Sequence, residues 1–262
     1  MAGFVDIHAH LLPGIDDGPP DLEQALEMAR AAADAGIETI AATPHLRSDF
    51  PNVRLEELAV RCGSLREAID RAKIPIRVVS GAEASLTWAL EASEEELVLA
   101  SYGQGGNDLL IETPSSMVIG LDRIIYELHA KGYRITLAHP ERNRQLQRNS
   151  EPLRALVDQG VLLQVNAESL LGRDTPGVRR FARHLCREGL VHAIASDGHR
   201  AHRWRPVTHL HDALDATVDL VGPERSRWLM RAAPEAIVEG APLPRAPAIA
   251  GKRRRRRFLG RR

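Results

Sequence analysis

The chain has 262 residues, 44% hydrophobic and 27% charged, a balance that suits one large α/β domain or two small ones around a sizeable core. No run approaches the roughly 18 uninterrupted apolar residues of a membrane span, and the opening residues lack the basic start and apolar core of a secretory signal, so a soluble cytoplasmic protein is expected. The formal net charge of zero hides an asymmetry: the last eleven residues hold eight of the 35 Lys and Arg and no acid, leaving 27 basic against 35 acidic residues in positions 1–251.

The first apolar run, VDIHAH at 5–10, predicts a strand. Alternate strand side chains share a face, so His8 and His10 converge while Ile7 and Ala9 point the other way. A Gly/Pro-rich loop carrying Asp16 and Asp17 follows. Residues 21–36 predict a helix, with Asp21 as N-cap, Gln24 three residues on and Gly36 as the stop. Strands are then expected over 37–45, 76–83, 107–114, 134–142, 161–169 and 191–199. Helices are expected over 54–72, 116–132, 150–160 and 178–190, and around 208–221 and 223–239. The GQGG at 103–106 precedes a strand instead of opening a helix, which makes it a turn and not a phosphate cradle. Strand and helix signals in alternation imply a parallel sheet with helices outside, closed as a barrel or left open as a doubly wound sheet. From about Leu243 the sequence reads as a Pro/Ala linker and a disordered basic arm, so the domain is expected over 1–243 and the tail over 244–262.

The strand ends carry His8, His10, His45, Glu83, Glu112, His139, Asp197 and His199. In parallel α/β folds that edge binds ligands and presents catalytic groups. Imidazole and carboxylate without thiolate suit Mn²⁺, Fe²⁺ or Zn²⁺, and the set exceeds what one ion can take, so two or three ions with bridging carboxylates are expected. The Asp16–Asp17 loop adds an oxygen donor.

The motifs DIHAHLLPGIDDGP, ATPH, GAE, IETP, AHPER and SDGH, in that order between about Phe4 and Leu243, resemble those of the polymerase and histidinol phosphatase (PHP) family. The first motif and AHPER are similar to the bacterial manganese-dependent tyrosine-protein phosphatases encoded with capsule and exopolysaccharide genes. The resemblance implies a distorted (β/α)7 barrel and a trinuclear site. On it, His8, His10, Glu83 and Asp197 hold one metal, Glu83 as a bridge with Glu112 and His139 a second, and Asp17, with Asp16 as the alternative, His45 and His199 a third. Arg142 and Arg205 match arginines that hold phosphate. Leu46 follows His45 where the family often has a second histidine, so any role of that imidazole is absent here.

Water bridging two divalent ions becomes a hydroxide near neutral pH that attacks phosphorus in line, and guanidinium forks suit the transferring phosphoryl oxygens. A cysteine phosphatase is excluded, because the sixth residue after Cys62 is Ala68 and after Cys186 is His192, neither an Arg. The function expected is hydrolysis of phosphotyrosine on a protein partner, a membrane-associated kinase of polysaccharide synthesis, with the basic tail holding the enzyme near anionic lipid. The rivals are another PHP phosphomonoesterase, such as histidinol phosphatase, and a metal-stabilised module that binds nucleic acid or a polymerase. The acidic body argues against nucleic acid.

Overall fold

The computed structural model describes residues 3–114 and 120–250. Its strands are β1 Phe4–Ala9, β2 Ile37–Ala42, β3 His45–Leu46, β4 Arg77–Ser80, β5 Glu83–Ser85, β6 Asp108–Glu112, β7 Arg134–Ala138, β8 Leu162–Asn166 and β9 Ala193–Ala195. They form two sheets, β1-β2-β4 and β3-β5-β6-β7-β8-β9, with every pairing parallel.

The expected strand over 37–45 is broken at Thr43–Pro44, where proline cannot donate to the ladder. Pairing nonetheless carries across the break: Gly81 N donates to Ala42 O at 3.1 Å and Glu83 N to Pro44 O at 3.0 Å. β2 and β3 are thus one bent strand position and β4 and β5 another, joining the two sheets. The remaining gap is spanned by Asp197 N to His8 O at 2.9 Å and His10 N to Gly198 O at 2.8 Å, with Ala9 and Gly198 bridged in parallel. The result is a distorted seven-position β/α barrel.

Alternate residues serve two apolar clusters. Ile40, Val78, Leu109, Ile111, Ile135, Leu137, Leu163, Val165 and Ile194 join the helices outside. Ala41, Val79, Leu110, Ala138, Leu162, Ala193 and Ala195 pack with Ile237 and Val238. By the two-residue strand period, the second set shares its faces with Glu112 and Gln164. The covering helices follow the sequence closely. Helix Leu22–Asp34 starts on Asp21, whose side chain accepts from Gln24 N at 2.9 Å, and buries Ala25, Met28, Ala29 and Ala32. That i, i+3, i+4, i+7 stripe is the face a helix needs to cover a sheet.

Two helices, Leu86–Glu91 and Glu94–Ala100, occupy a stretch to which the sequence reading assigned no element. Ser93 opens the second with a reciprocal capping box to Glu96. The expected helix over 116–132 is seen as Leu121–Ala130, its first residues lying outside the described residues. The Pro/Ala stretch 244–250 lies against the body: Trp228 Nε1 donates to Pro244 O at 2.9 Å and Ala250 N to Val221 O at 3.1 Å. The basic run 252–262 lies outside the described residues. Among the described residues no helix is long and apolar enough to cross a membrane.

Candidate metal centre

The barrel brings the expected residues to one mouth. His8 lies in β1 and His10 just after it; His45 opens β3 and Glu83 opens β5; Glu112 ends β6, His139 follows β7, and Asp197 and His199 follow β9. His8, His10, His45, Glu83, His139, Asp197 and His199 are buried, while Glu112 and Asp17 are partly exposed.

Hydrogen bonds on one ring nitrogen aim the other. Gln164 Oε1 accepts from His8 Nδ1 at 3.0 Å, Asp16 Oδ2 from His10 Nδ1 at 2.8 Å, and the Asp197 carbonyl from His199 Nδ1 at 2.8 Å. Each contact holds a proton on Nδ1 and turns Nε2 toward the cluster, the way outer partners orient metal-ligating histidines. His8 Nε2 lies 3.3 Å from Glu83 Oε2 and 3.5 Å from Asp197 Oδ1; His10 Nε2 lies 3.6 and 3.4 Å from the same two oxygens. Four donors sharing one ion at about 2.0–2.2 Å sit roughly 3.3–3.6 Å apart, so the spacing fits a divalent ion. Among the described residues, His8 Nε2, His10 Nε2, Asp17 Oδ1, His45 Nδ1 and Glu83 Oε2 are buried and find no hydrogen-bond partner. Buried orphans are rare and costly, and here they converge.

Glu83 is the hub. Its Oε1 is 2.7 Å from His139 Nε2 and its Oε2 2.9 Å from His45 Nδ1, besides the contacts to His8 and His10. Candidate ligand atoms fall into four overlapping sets: His8, His10 and Asp197; His8, Glu83 and His139; His45, Glu83 and Glu112; and His10, Asp17, His45 and His199. His45 therefore also faces Glu83 and Glu112, a neighbourhood wider than the third group in which the resemblance placed it. Asp16 and Asp17 divide the work. Asp16 accepts from His10 Nδ1, Gly18 N and His45 N, whereas Asp17 Oδ1 faces His199 Nε2 at 3.2 Å and His45 Nε2 at 3.6 Å.

Charge follows this geometry. Burial works against a proton on His10, yet the Asp16 carboxylate raises that imidazole to about 10. Burial would raise Glu83, but His8, the hydrogen bond from His139 and the close His45 imidazole hold it well below the carboxylate range. Asp197 is likewise held low against its burial by Arg205 and His8. Burial and the neighbouring His10 push His199 down to about 4.

Arg142 and Arg205 both reach the cluster through the second oxygen of Asp197. Arg142 NH1 donates to Oδ2 at 3.0 Å and Arg205 NH2 donates to the same atom, while Arg205 NH1 is 3.0 Å from His199 Nε2. His139, Asp197 and Arg205 have φ of 38°, 50° and 46°, the left-handed region that costs a side-chain-bearing residue about 1–3 kcal/mol. Strain of that size at three cluster residues is held by the surrounding bonds.

Sequence reasoning missed the supporting shell. β8 contributes no charged group, but Asn166 Nδ2 donates to Asp197 Oδ2 at 2.6 Å and Gln164 sets His8. Their two-residue spacing at a strand end was the available signal. Arg47 NH1 donates to Glu112 Oε1 at 2.7 Å. Phe50 stacks on His45 with ring centres 4.7 Å apart, and Trp204, 52% exposed, meets His199 edge-on at 4.9 Å.

A parallel β/α barrel with a buried histidine and carboxylate cluster at its carboxyl-end mouth is the architecture of metal-dependent hydrolases. The likeness to an amidohydrolase from Mycoplasma synoviae, with TM-score 0.61 over 96% of this chain and 89% of that one at 13% identity, is of fold alone. Residues 4–239 match the family model described as "Capsular polysaccharide synthesis, CpsB/CapC", and the chain belongs to that family. It is 36% identical over 202 residues to the tyrosine-protein phosphatase YwqE of Bacillus subtilis, covering 75% of this chain and 77% of that protein. It is 32% identical over 198 residues to the putative tyrosine-protein phosphatase CapC of Staphylococcus aureus, with the same coverage. A solved structure from work on YwqE and on CpsB of Streptococcus pneumoniae, described as unique metal-dependent tyrosine phosphatases, superposes with TM-score 0.81 at 32% identity. It covers 95% of this chain and all of that one.

Proposed function

We infer that this chain is a metal-dependent tyrosine phosphatase of capsular polysaccharide synthesis, a phosphoric monoester hydrolase. The observation that carries the reading is the pair of buried, unpartnered nitrogens His8 Nε2 and His10 Nε2, facing Glu83 and Asp197 at 3.3–3.6 Å, with two arginines on the far oxygen of Asp197. Membership of the CpsB/CapC family and relatives named as tyrosine phosphatases support it.

His8, His10, Asp17, His45, Glu83, Glu112, His139, Asp197 and His199 would hold two or three divalent ions, with Mn²⁺ favoured over Mg²⁺ because five of the donors are imidazoles. Such ions supply an activated water and positive charge for the phosphoryl group. The protein's own groups do the rest. Arg142 and Arg205 deliver guanidinium forks that match phosphoryl oxygens, and Glu168 and Asp174 steady Arg142 from behind, Asp174 Oδ2 lying 3.4 Å from its Nε. Phe50 against His45 and Trp204 against His199 bring two aromatic rings to the mouth, where the phenyl ring of a phosphotyrosine can pack. The substrate is a phosphotyrosine protein, a membrane-associated kinase of the same synthesis pathway. The test is to strip the protein with a chelator, restore Mn²⁺ or Mg²⁺, and compare a phosphotyrosine peptide with histidinol phosphate. Mn²⁺-restored turnover of the peptide is expected; preference for histidinol phosphate overturns the substrate assignment.

A further inference from the structure

Beside the catalytic mouth lies a groove of about 630 Å³ between helix Arg144–Arg148 and helix Pro176–Glu188. Arg144, Arg148, Arg180 and His184 line it over Phe181, with no carboxylate among its lining residues. Arg144, Arg148, Arg180 and His184 are exposed, and no ion pair engages them among the described residues. The helix of the second wall, Pro176–Glu188, carries Arg179, Arg183 and Arg187 besides the lining Arg180. This concentration stands out on a body with 27 basic and 35 acidic residues in positions 1–251.

Both walls start at Arg142. One helix begins two residues later, with Asn143 Oδ1 capping it by accepting from Gln145 N and Leu146 N at 2.9 Å, and Gln147 Nε2 ties it to Glu141 O at 2.8 Å. The other begins just after Asp174, whose carboxylate is paired with Arg142. A chain whose phosphate reaches Arg142 therefore has this groove within a few extended residues, each about 3.3 Å long.

We propose that the groove between helices Arg144–Arg148 and Pro176–Glu188 binds an acidic peptide segment flanking the phosphotyrosine, so that substrate choice depends on acidic residues near the scissile phosphate. The proposal rests on the phosphatase reading above. A peptide fits better than a nucleic acid, because a long polyanion extending beyond the groove meets the acidic body.

The test uses the metal-loaded full chain and the triple variant R144Q/R148Q/R180Q. The probes are p-nitrophenyl phosphate, a phosphotyrosine peptide with flanking Glu residues, and the same peptide with Gln in their place. Three partly screened charge contacts predict about a tenfold preference for the Glu peptide, carried by KM and weakened by salt. The variant should lose that preference and keep its rate on p-nitrophenyl phosphate. Equal KM for both peptides in the unaltered protein, or an undiminished preference in the variant, overturns the proposal. Fluorescence anisotropy with the unphosphorylated Glu and Gln peptides reads the groove without turnover, so absence of any phosphatase activity would sink the phosphatase reading while the groove is still decided. R148E alone, expected to weaken Glu-peptide binding and leave Gln-peptide binding unchanged, guards against a misfolded triple variant. An oligonucleotide that binds through these arginines while the Glu peptide does not would contradict it.

Discussion

Asp16→Asn separates the two neighbouring acids. The carboxylate uses both oxygens: Oδ1 accepts from Gly18 N at 2.9 Å, and Oδ2 from His10 Nδ1 at 2.8 Å and His45 N at 3.2 Å. Asparagine keeps one acceptor and brings two donors. If its oxygen stays with Gly18 N, the amide faces His10 Nδ1, and the ring must move its proton to Nε2, the atom aimed at Glu83 and Asp197. If its oxygen stays with His10, the Gly18 N–H is stranded. One buried donor left without an acceptor costs about 1–3 kcal/mol, which corresponds to roughly 5- to 150-fold in an equilibrium. Loss of an outer partner of a metal-binding histidine is independently worth about 10–100-fold in affinity. Titration of chelator-treated protein with Mn²⁺ by calorimetry should show Asp16→Asn weakened within that range with its stoichiometry intact. Asp17→Asn should instead lose one bound ion and leave the others tight. Unchanged affinity in the first, with a full complement of ions in the second, would refute the division of labour between them.

Replacing Arg142 or Arg205 with Ala should leave metal content intact and lower kcat/KM on a phosphotyrosine peptide by about 100- to 1,000-fold, as for loss of a preorganised charge donor, with Lys rescuing only in part; steady-state kinetics beside metal counting checks it. His192 is pushed down to about 4 by burial and by the charge of Arg225, and its Nδ1 accepts from Leu163 N at 3.2 Å. Its neutral ring stabilises the fold fully above about pH 6.5, and that contribution, at most about 3 kcal/mol, drains away as pH falls toward 4. His192→Asn keeps the acceptor without the proton, so its stability, followed by circular dichroism in denaturant, should fall less between pH 6.5 and 4; coincident profiles would show the reasoning wrong. Truncation after Ala250 should spare turnover and abolish binding to anionic vesicles, to which basic residues contribute about 1 kcal/mol each near the surface.

Much of the barrel was legible because its strands are apolar runs and its helices carry caps and stripes at helical spacing, as Asp21 and the Met28 face show. The donors were legible for the same reason: His8, Glu112 and His139 interrupt apolar strands at the edge where charge is otherwise expensive. The break at Pro44 was less so, since periodicity does not register a bend that pairing spans. The uncharged supports Gln164 and Asn166 look like ordinary strand-end amides until the fold brings them to His8 and Asp197, across sequence separations of 156 and 31 residues. The convergence of Arg142 and Arg205 on one oxygen depends on left-handed backbone at Asp197 and Arg205, which no side-chain pattern announces.

The most direct test of the central claim counts metal and phosphotyrosine turnover in the same preparations. Protein purified without chelator should hold two or three equivalents of transition metal by elemental analysis. It should release phosphate from a phosphotyrosine peptide, lose activity in step with metal on chelation, and regain it with Mn²⁺. Full turnover by protein containing no transition metal, or metal-loaded protein inert toward phosphotyrosine, would contradict the account.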